Sequence, residues 1–386
     1  MKAKDNYKIE IIQSTEEIKK KRDFWESLQW HPNTDIDLYL SYIENYSLLP
    51  YIFILNDELN EQPISIIICR IEKKDYTVNI GYKTLLRRSI KQLSVLYGGI
   101  IGVQNSLIFK IFLDNAKCLM KKGHIDAIYF SHLNLPHHEF SFLMNYPSFF
   151  CKDRHCIRDI HYRITNPESS DDFFKRLGSK SRYNIKRSIR ILENSFNRIE
   201  YKCLTEPDNV ETIINDIESV ASKTYQRGLK TGFTNNNEFH DRLAIASQKK
   251  ILRAYILYIN DSPVSFWLSF KYKDILFLDS TGYDPFFSDY EVGSALLIKL
   301  IEVSSTDSEI KFIDFGFGDA SYKHKYSDIS WEETTFYIFS PKPKVILLNI
   351  ISSLLKSLLT IIKLLLTKYQ IDVKIKRIWR KKIIQE

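Results

Sequence analysis

Between Leu252 and Tyr326 the spacing of apolar positions changes in a definite order. Leu252–Ile259 and Val264–Phe270 are near-continuous runs of aliphatic, β-branched and aromatic residues, and Asn260-Asp261-Ser262-Pro263 between them has the composition of a hairpin turn. A third run, Ile275–Ser280, follows Lys273-Asp274. Three antiparallel strands are predicted. After the turn Gly282-Tyr283-Asp284-Pro285, the period lengthens from Gly293 onward, with Ala295, Leu296, Leu297, Leu300 and Ile301 at helical spacing. A helix start leaves backbone N–H groups without partners, and a glycine there lets an anion come close. Ile310–Phe315 returns to a strand pattern and runs into Asp314-Phe315-Gly316-Phe317-Gly318-Asp319, with Tyr322-Lys323 just beyond. The predicted order is β, β, β, α, β.

These motifs resemble the GNAT acyltransferase superfamily, in particular its BioF2-like acetyltransferase branch, which lies near the FemAB peptidyltransferases. Leu252–Ser265 is similar to that branch's strand, short turn and Pro-Val-Ser strand. Gly282-Tyr283-Asp284-Pro285 resembles its Gly-Tyr-Asp-Pro, and Asp314-Phe315-Gly316, Gly318 and Tyr322-Lys323 resemble its closing motif. Arg182-Tyr183-Asn184-Ile185-Lys186-Arg187 is similar to the basic helix that opens its second domain. The likeness covers roughly Ser170 to Phe336 well and the first half more loosely.

The first half also echoes the second. Tyr51–Leu55, Pro63-Ile64-Ser65, Lys73-Lys74-Asp75 and Gly81-Tyr82 repeat the order of Tyr255–Ile259, Pro263-Val264-Ser265, Lys273-Asp274 and Gly282-Tyr283, about two hundred residues apart. The expected fold is therefore α/β with mixed sheets: tandem GNAT-like domains at 1–165 and 166–340, then an amphipathic helical tail at 341–386. The first copy lacks the Asp-Phe-Gly-x-Gly and Tyr-Lys elements. Its nearest candidate for the last strand is Ala127–Ser131, so catalysis is assigned to the second copy.

Charge alters this picture only at the C-terminus. The net +8 divides into about −1 over the first 340 residues and +9 over residues 341–386, where eleven Lys/Arg face only Asp372 and Glu386. Val345–Leu366 is long and apolar, yet Asn349, Ser352, Ser353, Lys356, Ser357, Thr360, Lys363 and Thr367 recur every three or four residues along one helical face. Such a helix suits an anionic membrane surface, the enzyme's own body or a homodimer partner better than a bilayer-crossing path. The Lys374–Lys382 cluster is read as a solvated or lipid-facing end rather than a nucleic-acid site. Five scattered cysteines and a polar N-terminus without an apolar leader core point to the cytoplasm, peripheral on the membrane's inner face if the tail binds lipid.

The resemblance implies acyl transfer from acetyl-CoA or another acyl-CoA to a small-molecule amine, in amino-sugar or amino-acid chemistry of envelope or polysaccharide precursors. It implies that strands 275–281 and 310–315 splay to admit the pantetheine arm. Asp279, Ser280 and Thr281 would lie beside it, with Val292, Gly293 and Ser294 at the pyrophosphate. The usual Arg/Gln-x-x-Gly-x-Gly loop is replaced by Asp289-Tyr290-Glu291-Val292-Gly293. Tyr322 is the candidate for protonating the departing thiolate, since a phenol stays neutral near pH 7 and can donate. Asp314 either orients or deprotonates the amine, or bonds backbone amides and fixes the loop. Lys323 is assigned with them as a catalytic candidate, and Arg182, Arg187, Tyr283, Gly316 and Gly318 as acceptor contacts.

Other chemistries lack their partners. Asp314-Phe315-Gly316 has neither a kinase phosphate loop nor a His-Arg-Asp loop beside it. His132, His137, His138 and Glu139 straddle Pro136 without a second cluster, so no metal site is expected. Two further readings stand beside acyl-CoA transfer. One is a FemAB-like transferase using aminoacyl-tRNA, which alone would bring in nucleic acid; the other is a non-catalytic GNAT-like membrane adaptor.

Overall fold

The computed structural model describes residues 7–57, 63–80, 83–228, 232–318 and 320–368. Gly81-Tyr82, Asp319 and the Lys374–Lys382 cluster lie outside them. The strands are β1 (Tyr7–Ile12), β2 (Leu49–Asp57), β3 (Pro63–Ile80), β4 (Lys83–Gly102), β5 (Ala127–Leu133), β6 (Ile157–Thr165), β7 (Ile199–Leu204), β8 (Leu252–Ile259), β9 (Ser262–Tyr272), β10 (Ile275–Tyr283), β11 (Phe312–Phe317) and β12 (Ile329–Phe339). Among the described residues two compact units form: residues 7–159 with 332–368, and residues 160–331.

In the second unit the strand order is β6-β11-β10-β9-β8-β7. β8 and β9 form the expected hairpin, turning on Asn260 and Asp261, both left-handed at φ 48° and 64°. β8 reads as an unbroken apolar run because both its faces are covered. Leu252, Ala254, Ile256 and Tyr258 pack with the helices Val210–Ala221 and Asn237–Gln248, while Tyr255, Leu257 and Ile259 pack toward the helices Ser179–Ser195 and Val292–Ser305. β10 then runs parallel to β11 across the intervening Val292–Ser305 helix.

The first unit repeats this order. Its strands run β1-β2-β3-β4-β5-β12, and β4 and β5 are parallel across the helix Ser106–Lys121. The residue-level correspondence drawn from the sequence fails after Ser65, however. Lys73-Lys74-Asp75 is not a turn but the middle of an 18-residue strand, paired with Lys91, Ile90 and Ser89 of β4. The strand continues because Tyr76, Val78 and Ile90 are buried against Phe339 and the C-terminal helix Pro343–Lys368, which reward extension beyond three charged residues.

The units divide at 159/160 and 331/332, not at 165/166 and 340/341, because each completes its sheet with a strand from the other half of the sequence. β12 residues Thr334–Phe339 pair with β5, and β6 residues His161–Thr165 pair with β11. Residues 343–368 belong to the first unit rather than to a free tail.

The contributed β12 is built into the first core: Phe336 is 1% exposed and stacks on Phe130 at 4.8 Å. Phe336→Ala should destabilise this unit by about 3–5 kcal/mol, seen as a lowered urea midpoint. A shift worth under about 1 kcal/mol would mean β12 is peripheral to the core.

Candidate functional site

Three residue pairs, Ile275↔Phe312, Leu276↔Ile313 and Phe277↔Asp314, hold β10 to β11. Pairing stops there, although both strands continue. On the β10 side a bulge at Asp279 shifts the register with β9 between Leu278/Ser269 and Ser280/Leu268. On the β11 side a bulge between Asp314 and Gly316 shifts the register with β6. The two strand ends part, and a cleft of about 400 Å³ opens, lined by residues that include Thr281, Gly282, Tyr283, Phe317, Gly318 and Tyr322.

Of the sequence-nominated residues, Thr281, Tyr283, Gly318, Tyr322 and Lys323 line this cleft. Tyr322 is half-buried, with its ring edge-on to Trp267 at 5.9 Å and to Phe315 at 6.0 Å. Lys323, 8% exposed, donates from Nζ to the carbonyls of Phe317 at 2.6 Å and Gly316 at 3.3 Å. The ammonium thus pins the loop that follows β11. Gly316 and Gly318 both have left-handed φ (68° and 94°) with open space where a Cβ would stand, so their dihedrals, not crowding, call for glycine.

Asp314 does not reach the cleft lining. Its carboxylate is 2% exposed and accepts from His161 Nε2 at 2.7 Å, from Arg163 Nε and Nη2 at 3.0 and 2.8 Å, and from the Gly316 amide at 2.8 Å. His161 stacks on Trp331 at 4.3 Å, and Arg163 lies over the same indole at 4.9 Å. Burial pushes the Asp314 pKa up, but His161 and Arg163 together outweigh it and hold the carboxyl below its ordinary value. An acceptor so fully occupied and so acidic is a poor proton abstractor. Its geometry is that of a clamp joining β6, β11 and the glycine loop.

Other nominated residues stand outside the cleft lining. Asp279, at the bulge, bonds Arg242 at 2.7 Å. Arg182 donates to the Leu177 carbonyl at 3.1 Å, and Arg187 is exposed on the Ser179–Ser195 helix. Val292, Gly293 and Ser294 open the Val292–Ser305 helix, whose N-cap, Glu291, is left-handed at φ 50° and makes no side-chain cap bond. A Cβ on Gly293 would lie 3.4 Å from the Tyr283 ring, which brings this helix start against a cleft residue.

Several site residues carried no local signal. Thr224 and Gln226 reach the cleft from the segment after the Val210–Ala221 helix. His161 and Arg163 become neighbours of Asp314 only through pairing of segments some 150 residues apart in sequence. Two buried polar atoms outside the cleft lining, Ser280 Oγ on β10 and Trp267 Nε1 on β9, have no hydrogen-bond partner.

Residues 179–324 match the family model described as acetyltransferase (GNAT) domain. Those residues carry a GNAT acyltransferase domain. Among solved structures, FemX aligns with a TM-score of 0.56 at 8% identity, over 88% of this chain and all of that one, and shares its fold. L-PGS from Bacillus licheniformis (TM-score 0.48, 12% identity, 89% and 97% coverage) and a tandem GNAT protein from the clavulanic acid biosynthesis pathway (0.47, 8%, 86% and 99%) are more distant in shape. No curated protein matches. The first unit repeats the strand order of the unit that holds this domain, and no cluster of metal-binding side chains occurs among the described residues.

Asp314→Asn should cost about 1–3 kcal/mol, because it leaves the half-buried Arg163 without its charge partner and weakens the bond to buried His161. A folded-state pKa below the unfolded value means that the carboxylate's contribution is complete above the ordinary carboxyl pKa and is lost as pH falls through the depressed value. Wild-type melting temperature should therefore drop on acidification below about pH 4 more steeply than that of the variant. Parallel profiles would remove Asp314 as the source of this limb.

Proposed function

We propose that the protein is an acyl-CoA-dependent N-acyltransferase, with acetyl-CoA the first donor to test and an amino sugar or amino acid as acceptor, working by direct transfer in a ternary complex in the cytoplasm. The observation that carries this reading is the parting of β10 from β11 after Phe277/Asp314, with an open cleft at the divergence. A pantetheine arm is a narrow chain of amides that needs such a slot. The uncapped helix start at Val292, Gly293 and Ser294 fits the pyrophosphate, replacing the missing Gly-x-Gly loop with backbone N–H groups and a dipole.

In this reading the acceptor nitrogen attacks the thioester carbonyl, the C–N bond forms, and the C–S bond breaks with the electron pair leaving on sulfur. Tyr322, at the cleft wall, supplies the proton that sulfur takes up and is restored by the proton the amine gives up. Lys323 holds the Gly316–Phe317 carbonyls in place, and Asp314 fixes the same loop from its other side; both act by positioning. Tyr283 and Gly318 line the acceptor end, while Arg182 and Arg187 would meet an anionic acceptor only if it extended past the cleft.

The first copy supports its assignment as non-catalytic. Where β4 and β5 end their pairing at Val95 and Phe130, Tyr97 packs edge-on to His31 at 4.8 Å and to His132 at 6.1 Å, and Trp30 Nε1 bonds the Gly98 carbonyl at 3.1 Å. These side chains pack near the point where the two strands stop pairing.

Isothermal calorimetry should detect acetyl-CoA or a longer acyl-CoA binding to the purified chain; binding of aminoacyl-tRNA with no acyl-CoA heat would favour the FemAB-like alternative instead. Tyr322→Phe should lower turnover by about 10²–10⁴-fold with acyl-CoA affinity nearly unchanged. Unchanged turnover would remove Tyr322 from proton transfer.

A further inference from the structure

The C-terminal helix Pro343–Lys368 packs the opposite way from an ordinary surface helix. The first part of its polar face is turned inward, while Ser357, Thr360 and Lys363 further along are exposed. Asn349, Ser352 and Ser353 are buried, and the Asn349 amide donates to the carbonyls of Phe150 at 2.9 Å and Lys152 at 2.8 Å. Ser352 Oγ bonds Tyr76 Oη at 3.2 Å, and Ser357 Oγ lies 3.0 Å from His155 Nε2. Lys356 lies over the Tyr76 ring at 5.3 Å. These contacts fix the helix's rotation about its own axis.

The outward face is apolar along its length. Leu347, Ile351, Leu354, Leu358, Ile361 and Leu365 follow one another at spacings of four and three residues, and each is 40–67% exposed. Six such side chains in one line extend about 27 Å at 1.5 Å per residue, a patch that a soluble monomer rarely leaves to water. The mean hydropathy of this helix reaches 2.2, enough by composition to cross a bilayer. Crossing would strip Asn349, Ser352 and Ser353 from their partners and place them in hydrocarbon, at several kcal/mol for each unsatisfied group. Lying flat keeps every one of those bonds.

Charge selects the occupant. No acidic residue occurs from Pro341 to Ile371, and residues 341–386 carry eleven Lys/Arg against two acids. The four-three spacing alone would also suit a second copy of the helix. A paired helix of this composition would set cation against cation, with no Glu beside the seam to complement the lysines. An anionic lipid surface complements both the apolar stripe and the basic flank. We propose that the outward face of this helix docks the protein, in the plane of the interface, on an anionic membrane.

Vesicle flotation of the full-length protein tests this, using phosphatidylcholine alone or with phosphatidylglycerol. The wild type floats with the anionic vesicles, and binding weakens as salt is raised. Leu354→Glu with Ile361→Glu, both pointing outward, lowers the partition coefficient at least about tenfold while the melting temperature stays unchanged. Absence of wild-type flotation overturns the proposal, as does flotation that the double variant leaves intact, which would assign binding to the basic flank alone. A wild-type dimer in light scattering that the double variant dissociates, without flotation, would make the stripe an interface between copies.

Discussion

The shortness of one parallel pairing governs the second unit. β10 and β11 share three residue pairs and then part, although β10 remains hydrogen-bonded to β9 as far as Tyr283 and β11 to β6 as far as Phe317. Each strand is thus held firmly by its outer neighbour at the point where it leaves its inner one. A gap within a sheet exposes backbone groups that ordinarily pair, and it persists here because the outer pairings and the two bulges fix both edges. The cleft follows from strand register, with loop residues completing its lining.

Maintaining that gap requires the β11 side not to relax back toward β10. Asp314 and Lys323 grip the glycine loop from opposite ends with opposite charges: the carboxylate takes the Gly316 amide, and the ammonium takes the Gly316 and Phe317 carbonyls. Neither charge is exposed, so each depends on its partners for compensation. His161 and Arg163 supply that compensation for Asp314 from β6, a strand that begins at the very end of the first half of the chain. The same exchange places β12 beside β5, so neither copy completes its sheet from its own half of the sequence.

This exchange accounts for what the sequence did and did not reveal. β8, β9 and β10 and the Val292–Ser305 helix were legible because their signals are local: apolar runs, a two-residue left-handed turn, a glycine at a helix start. Tyr322, Tyr283, Thr281, Gly318 and Lys323 lie within that stretch and were recognisable from motif order. That Asp314 could bond a backbone amide and fix the loop was legible, and it does bond Gly316, but its Arg163 and His161 partners were not, since they are ordinary alternating residues until pairing with β11 turns them to the same carboxylate. The unit boundaries were misplaced for the same reason. Lys73-Lys74-Asp75 misled because a charged triplet resembles a turn unless both neighbouring apolar stretches find a cover, and here that cover is a helix some 270 residues later.

The C-terminal helix shows a different limit. Periodicity reveals that a helix has two faces, and the usual inference buries the apolar one. Here the polar residues are Asn and Ser, short side chains whose groups can satisfy carbonyls and hydroxyls at close range, and the surface that receives them presents such partners: Phe150 and Lys152 carbonyls and the Tyr76 hydroxyl. Val345 and Leu348 at the helix start add an apolar foothold beside Phe339. Asn349, Ser352 and Ser353 are small enough to bury and specific enough to orient the helix, whereas Lys363 on the same stripe is exposed. The chemistry of the polar positions, rather than their spacing, decides which face is left for another partner.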